Sequence, residues 1–206
     1  MKVFITHQPS YSRGELILRT LFGFIYILIP HMFVLFFISI AALFINFLAF
    51  WIILFTGNYP KGMWDFMLGM LRWNLRLNAR MQNLSDGYPA FGLNAADDHT
   101  RIELEYPAKS SRGLLLLRTF FGIFYILIPH GFCLLFLALG AVFVKIIAFW
   151  VVLFTGNYPK GMHDYMTGVI RWSMRVSAYY YNLTDTYPPF KLDNVETPSV
   201  ALDHNV

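Results

Sequence analysis

The chain has 206 residues, of which 57% are hydrophobic and 14% are charged, and its formal net charge is +4 at pH 7. A mean hydropathy of +0.50 excludes an ordinary soluble domain and indicates an integral membrane protein. The basic residues cluster beside apolar runs, without a basic tract or a nucleic-acid motif. We therefore expect membrane lipids as partners and exclude nucleic acid.

The first apolar run, residues 20–56, carries no charged residue other than the titratable His31. It is far longer than the roughly 20 residues that one membrane-crossing helix needs. Two arrangements fit this length. The run is either a helical hairpin, with crossings near 20–38 and 41–57, or one long helix that starts near Pro30 after an interfacial stretch.

The second apolar run, residues 119–155, offers the same choice, with hairpin crossings near 119–137 and 140–156. Basic residues flank both ends of both runs, and the positive-inside tendency places such flanks in the cytoplasm. An even number of crossings in each run satisfies that tendency at every flank. We therefore expect four crossings in a multi-pass protein, both termini in the cytoplasm, and Lys145 near a hairpin tip.

An amphipathic helix is predicted after each run. Turn chemistry at Gly57 and Asn58 ends the first run, and Pro60 suits a helix start. From there to about Leu84, charged and small residues recur at helical spacing and form one polar stripe, and apolar residues fill much of the rest. Such a helix is typical of the membrane interface. The alternative is an ordinary soluble amphipathic helix that packs on a partner.

Almost every feature of the first run and its following helix recurs at an offset of about 99 residues, without a gap. A period of this length indicates a duplicated domain, with repeat 1 at residues 10–91 and repeat 2 at residues 110–191. Residues 92–109 are predicted to be an acidic polar linker, and residues 192–206 an irregular tail. The flanking charges place the two repeats the same way up, as parallel repeats.

His31 and His130 are the candidate cofactor-binding residues, because each follows a proline inside an apolar run. An ionisable side chain at membrane depth is a functional hypothesis by default. If the repeats pack about a pseudo-twofold axis, the imidazoles could face one another and ligate a haem iron or another metal, or pass a proton. Alternatively, each proline frees a backbone carbonyl, at Tyr26 or Tyr125, and a neutral histidine beside the kink satisfies freed backbone groups.

Basic residues that recur in both repeats are the candidate contacts to lipid headgroups and the interface. Arg19 and Arg118 stand at the start of the apolar runs, where headgroup anchoring is expected. The other candidates lie on the amphipathic helices, at Lys61, Arg72, Arg76, Lys160, Arg171 and Arg175. Neither repeat contains a catalytic set, a metal-ligand cluster or a phosphate-binding loop. We therefore expect no enzyme activity, no metal site and no resident cofactor.

Several phrases in the chain are specific enough to suggest a family. They are Ser-Arg-Gly-x-Leu, Ile-Pro-His, Phe-Thr-Gly-Asn-Tyr-Pro-Lys-Gly, Arg-Trp-x-x-Arg-x-x-Ala and Thr-Asp-x-Tyr-Pro-Pro-Phe. The chain resembles, over about 10–91 and 110–191, the bacterial membrane family known as domain of unknown function 4389, which commonly occurs in tandem copies. The resemblance implies a bacterial inner-membrane protein and brings no activity with it.

The sequence thus predicts an all-α integral membrane protein made of two tandem parallel repeats. Each repeat is expected to be a transmembrane helical hairpin followed by an amphipathic interfacial helix. The leading functional hypothesis is a non-enzymatic accessory or scaffold subunit of a larger inner-membrane assembly. The amphipathic helices would be its docking surface, with other membrane protein subunits as partners. The alternatives are a small transporter or lipid-handling protein that uses His31 and His130, and a haem-binding electron-transfer subunit.

Overall fold

The computed structural model describes residues 1–194. Each repeat contributes one long helix and one short helix. The elements in chain order are β1 (Lys2–Ile5), α1 (Arg13–Thr56), α2 (Lys61–Met81), β2 (Thr100–Glu103), α3 (Arg112–Thr155) and α4 (Lys160–Tyr180). From residue 195 onward, the tail that was predicted to be irregular lies outside the described residues.

Each apolar run belongs to one continuous helix of 44 residues, α1 or α3. Residues 29–56 are α-helical throughout, so α1 makes no reverse turn between the crossings that were expected near 20–38 and 41–57. The hairpin prediction, and with it four crossings, is wrong. No glycine or proline lies between residues 31 and 56 of α1, and Ser39 donates a hydrogen bond back to the Leu35 carbonyl at 2.7 Å without ending the helix. Both helices are long and apolar enough to cross a membrane.

A π-helical turn precedes Pro30, so the helix start that the second arrangement placed there is also wrong. The helix begins at Arg13. The Ser12 hydroxyl is its N-cap and accepts a hydrogen bond of 3.3 Å from the Glu15 amide. Because Pro30 has no amide hydrogen, the carbonyl of Tyr26 loses its helical donor. The wider turn at Phe24–Leu28 carries the chain past this point without ending the helix.

The two long helices run antiparallel, because the start of each lies beside the end of the other. The amide of Tyr11 donates to the Gly156 carbonyl at 2.8 Å, and the amide of Ser110 donates to the Gly57 carbonyl at 2.8 Å. Gly57 adopts a left-handed φ of 75°, which ends α1 in the way expected from its turn chemistry. The Arg112 guanidinium then donates to the Phe55 carbonyl at 3.0 Å, and so caps the end of the other repeat's helix.

The short helices α2 and α4 form a second layer, also antiparallel, since the Trp64 indole at the start of α2 donates to the Leu183 carbonyl beyond the end of α4 at 3.0 Å. This layer follows α1 along its length. The Met81 sulfur lies near Gly23 at one end, and the Met67 sulfur accepts a hydrogen bond of 3.6 Å from the Asn46 amide further along.

The short helices are the most enclosed part of the protein. Twelve residues of α2 are buried: Trp64, Met67, Leu68, Gly69, Met70, Leu71, Trp73, Leu75, Arg76, Leu77, Ala79 and Arg80. They therefore differ from the expected interfacial helices, which would keep one face in solvent. The alternative, an amphipathic helix packed on protein, describes α2 and α4 better.

A two-stranded antiparallel ribbon covers the short helices, with Val3 opposite Ile102. It packs on their centre, where the Arg171 guanidinium donates to the Val3 carbonyl at 3.0 Å. Its second strand lies inside 92–109, which was predicted to be a polar linker. The burial of Val3 and Ile5 alternates with more exposed neighbours, which is the period of a half-buried strand. The protein thus has three layers: long helices, short helices and ribbon.

Candidate functional site

A chain of three hydrogen bonds in repeat 2 runs through the buried His130. The Trp172 indole donates to Nδ1 of His130 at 3.0 Å, so the hydrogen of a neutral imidazole is on Nε2. That nitrogen lies 3.0 Å from the Tyr187 hydroxyl and donates to it. The Tyr187 hydroxyl in turn donates to the Tyr125 carbonyl at 2.9 Å. Every donor along this chain therefore meets an acceptor.

The chain ends on the carbonyl that proline leaves without a helical donor. Sequence reasoning identified this carbonyl, on Tyr125, but expected the histidine to satisfy it. The Tyr187 hydroxyl does so instead, and the histidine orients that hydroxyl. This explains why a Tyr-Pro phrase beyond the short helix recurs in both repeats.

Repeat 1 builds the same cluster with one bond fewer. The Trp73 indole donates to His31 Nδ1 at 2.8 Å, and the Tyr88 hydroxyl donates to the Tyr26 carbonyl at 3.1 Å. Nε2 of His31 has no hydrogen-bond partner among the described residues. The ring of Phe91 stacks on this imidazole with centroids 3.8 Å apart.

The two histidines do not face one another. His31 packs against Trp73, His130 packs against Trp172, and the two tryptophans belong to separate apolar clusters. Each imidazole is fully buried, and one of its nitrogens already accepts an indole hydrogen. The geometry favours structural histidines over a pair of haem ligands. Within residues 1–194, no group of three or more His, Cys, Asp or Glu side chains could hold a metal ion.

Arg19 and Arg118 lie inside the protein, away from the headgroup position expected for them. Arg19 is 4% exposed and pairs at 2.9 Å with both Glu15 and Asp86. Arg118 is 3% exposed and pairs with Asp185, and its guanidinium also lies 4.1 Å from the centroid of the Tyr179 ring. In each repeat, this clasp fixes the segment after the short helix to the start of the long helix.

Arg76 and Arg175 are also internal, so the predicted interface role does not fit them. The Arg76 guanidinium is buried and donates to three backbone carbonyls, of Ala90, Gly92 and Ala95. Burial lowers the pKa of Arg76, and a nearby carboxylate raises it in part. Arg175 donates to the carbonyls of Lys191 and Asp193. The half-buried Arg171 bonds to the carbonyls of Val3 and Leu192.

Three of the predicted interface residues are exposed. Lys61 pairs with Asp65 one helical turn on, and Lys160 pairs with Asp164 at 2.7 Å. Arg72 lies beside the ribbon, with a long contact of 3.5 Å to the Ile102 carbonyl. These side chains remain available to lipid headgroups or protein partners.

A cavity of about 390 Å³ lies between α2, α3 and α4. Its polar lining comes from Asn78, Gln82, Ser173 and Lys145, and the rest is apolar. The Lys145 ammonium donates to the Met81 carbonyl at the end of α2, at 2.9 Å. In the sequence, this cavity is marked only by Lys145, a charged residue inside an apolar run.

A larger, open groove of about 930 Å³ is lined by the ribbon, the segment that follows it, Arg72 of α2 and residues 184–186 near the end of repeat 2. We name it the ribbon groove. Its charged lining residues are Lys2, Arg72, Arg101, Glu103, Glu105, Lys109 and Asp185. No sequence pattern predicts this groove, because its walls come from segments far apart in the chain.

The comparison with protein families gives one result, and it agrees with the duplication. The profile described as Domain of unknown function (DUF4389) matches residues 15–92 and again residues 115–191. No curated protein and no solved structure matches the chain. With both repeats matched, the chain belongs to the family of the domain of unknown function 4389, in a tandem arrangement.

Proposed function

We propose that this protein is a non-enzymatic accessory subunit that scaffolds a larger assembly at the bacterial inner membrane, with both termini in the cytoplasm. The observation that carries the proposal is the separation of its surfaces into two kinds. The long helices provide an apolar layer for the membrane. The ribbon and its neighbouring loops provide a polar face for a partner.

The exposed apolar side chains are confined almost entirely to the long helices. Nineteen lie between Ile17 and Phe55 of α1, and α3 repeats the pattern from Leu116 to Phe154. By contrast, α2 exposes no large apolar side chain, and α4 exposes only Tyr180. A surface of this size on a soluble monomer is rare, and it marks a contact with a membrane or a partner.

The interlocked repeats suit a scaffold, because they hold the polar face rigidly on the apolar layer. Buried Arg80 and Asp97 join α2 to the segment before the ribbon at 2.6 Å. Although burial raises the pKa of Asp97, hydrogen bonds from Arg80 and Thr100 hold it below its usual value. The docking surface we propose is the ribbon groove, since the short helices that sequence reasoning chose for docking are enclosed.

The test is purification from native membranes after mild crosslinking, with and without charge reversal in the groove. We expect a protein in fixed ratio to the chain, which is lost when Arg72 and Arg101 are both changed to Glu. The matched control reverses two exposed lysines outside the groove, Lys61 and Lys160, and should keep the partner. A monomer without a partner in native membranes would contradict the proposal.

A second candidate function, lipid handling, has one observation in its favour, the cavity at Lys145. A cation beside an apolar wall suits a fatty acid or an anionic phospholipid. The test is lipid analysis of the purified protein. Lys145→Met should remove a co-purifying anionic lipid, whereas Asn46→Leu, at the equivalent place in α1, should leave it bound. Equal lipid content in both variants would exclude this function.

A further inference from the structure

We infer that the two long helices lie flat in one leaflet of the membrane and do not cross it. This orientation rests on the proposed membrane attachment and specifies its geometry. The polar layers then face water on one side only. The pseudo-twofold axis that relates the repeats stands perpendicular to the membrane, so both repeats are the same way up.

The length of the helices is the first argument. A helix of 44 residues is about 66 Å long, whereas the hydrocarbon core of a bilayer is about 30 Å thick. The exposed apolar side chains continue along this whole length, from Ile17 near one end to Phe55 at the other. An upright helix would place about half of them in water. A helix that lies in the membrane plane keeps all of them in the apolar phase.

The position of the charges is the second argument. Because the long helices are antiparallel, Arg13 lies beside the end of α3, and Arg112 lies beside the end of α1. Basic residues therefore stand at both ends of the molecule, with Lys160 and Lys61 in the chain just after those ends. An upright orientation would divide them between the two sides of the membrane. A flat orientation leaves them all on one side, as the positive-inside tendency favours.

The layer order is the third argument. Met81 of α2 contacts the long helix α1. Arg72 lies nine residues earlier, which is two and a half helical turns, so it lies on the opposite face of α2, toward the ribbon. The ribbon carries exposed Arg101 and Glu103, and it covers the middle of the short helices. Upright long helices would bring these charges to the depth of the hydrocarbon core, where an ionised side chain is strongly disfavoured. In the flat orientation, they lie on the side away from the lipid.

Cysteine labelling tests the orientation directly. Asn58 and Asn157 are exposed and lie at opposite ends of the molecule. We would place one cysteine at either site in a Cys133→Ser background and treat right-side-out and inside-out vesicles with a membrane-impermeant maleimide. Both sites should react in the same vesicle type and stay protected in the other. Reaction from opposite sides would overturn the inference.

A third cysteine, at Ile40, separates the flat helix from a hairpin. In the middle of the outer face it should resist labelling from both sides and react only in detergent. Reaction from the side opposite to Asn58→Cys would overturn the inference. If the protein does not float with vesicles at all, the proposed attachment fails. If it floats but labels from opposite sides, only the orientation fails.

Spin-label depth gives an independent measurement at three outer-face positions, Phe22, Phe36 and Phe47. A flat helix predicts the same depth, to within a few ångströms, at all three. An upright helix predicts about 20 Å between Phe22 and Phe36, because 14 residues separate them. A depth gradient of that size would overturn the inference.

Discussion

The two repeats share most of their buried polar contacts and differ mainly where each meets the other. Both build a Trp–His pair, a tyrosine bonded to the proline-freed carbonyl, and an arginine–aspartate clasp. Repeat 1 has Trp64 where repeat 2 has His163, and Asn46 where repeat 2 has Lys145. Trp64 and Lys145 both reach carbonyls of the opposite repeat.

Duplication of a polar residue is therefore not evidence of catalysis or lipid binding. The shared residues make hydrogen bonds within their own repeat, and they hold a bent helix and its following segment in place. Of the differing residues, Lys145 lines the cavity, and Trp64 and Lys145 make hydrogen bonds between the repeats. Each repeat therefore provides a control for substitutions in the other.

Loss of the arginine clasp should have the largest effect on stability. Arg19→Met and Arg118→Met each remove the buried cation from an aspartate that keeps only a backbone amide donor, so each should lower the free energy of unfolding by about 3 kcal/mol. Lys61→Met breaks an exposed pair and should change it by less than about 1 kcal/mol. Chemical unfolding in detergent measures all three. Equal values for Arg19→Met and Lys61→Met would contradict the internal role of Arg19.

A pH dependence should distinguish His163 from Trp64. Burial, and next the neighbouring His7, lower the pKa of His163 to about 4, from a usual value near 6.5. Between about pH 4 and pH 6.5, His163 therefore binds a proton in the unfolded chain but stays neutral in the folded protein. The contribution of His163 to the free energy of unfolding is therefore fully present above pH 6.5. It is lost as the pH falls toward 4, by up to about 3 kcal/mol.

The variant His163→Trp, which copies repeat 1, should remove this loss. Unfolding of both proteins would be compared at pH 7 and at pH 4.5. Parallel losses in wild type and variant would show that His163 is not the responsible group.

The tyrosines should have unequal effects, although both hydroxyls reach a proline-freed carbonyl. Tyr187→Phe leaves both the Tyr125 carbonyl and His130 Nε2 without partners, and should destabilise by about 2–3 kcal/mol. Tyr88→Phe leaves only the Tyr26 carbonyl and should be about 1 kcal/mol milder. Unfolding midpoints of the two variants provide the comparison. A larger effect in repeat 1 would contradict the hydrogen-bond chain described for His130.

The helix-ending glycines should have the smallest and most equal effects. Gly57→Ala and Gly156→Ala force alanine into a left-handed conformation, at φ 75°, and each should cost about 1 kcal/mol. Gly62 has an ordinary φ and nothing within 4 Å of an added Cβ, so Gly62→Ala serves as the control. Thermal unfolding detects the difference, and no difference from Gly62→Ala would exclude the strain.

The sequence predicted the features that depend on local chemistry. The duplication, the end of α1 at Gly57, the short helix after Pro60 and the freed carbonyl of Tyr26 are all confirmed. The sequence did not predict features in which the position of a side chain depends on a partner far away in the chain. Periodicity shows one polar stripe on α2, but not that the carbonyls of residues 90–95 surround Arg76. The hairpin error arose because an apolar run longer than a bilayer is thick has the same sequence pattern whether it folds back or continues as one helix.

A distance measured along α1 tests whether each long helix is continuous. Spin labels at Leu21 and Phe55, in a Cys133→Ser background, stand 34 residues apart on one continuous helix. We predict a distance of about 50 Å in both detergent and bilayers. A hairpin would bring the same two labels to within about 10–15 Å, and that result would contradict the continuous helices on which the account depends.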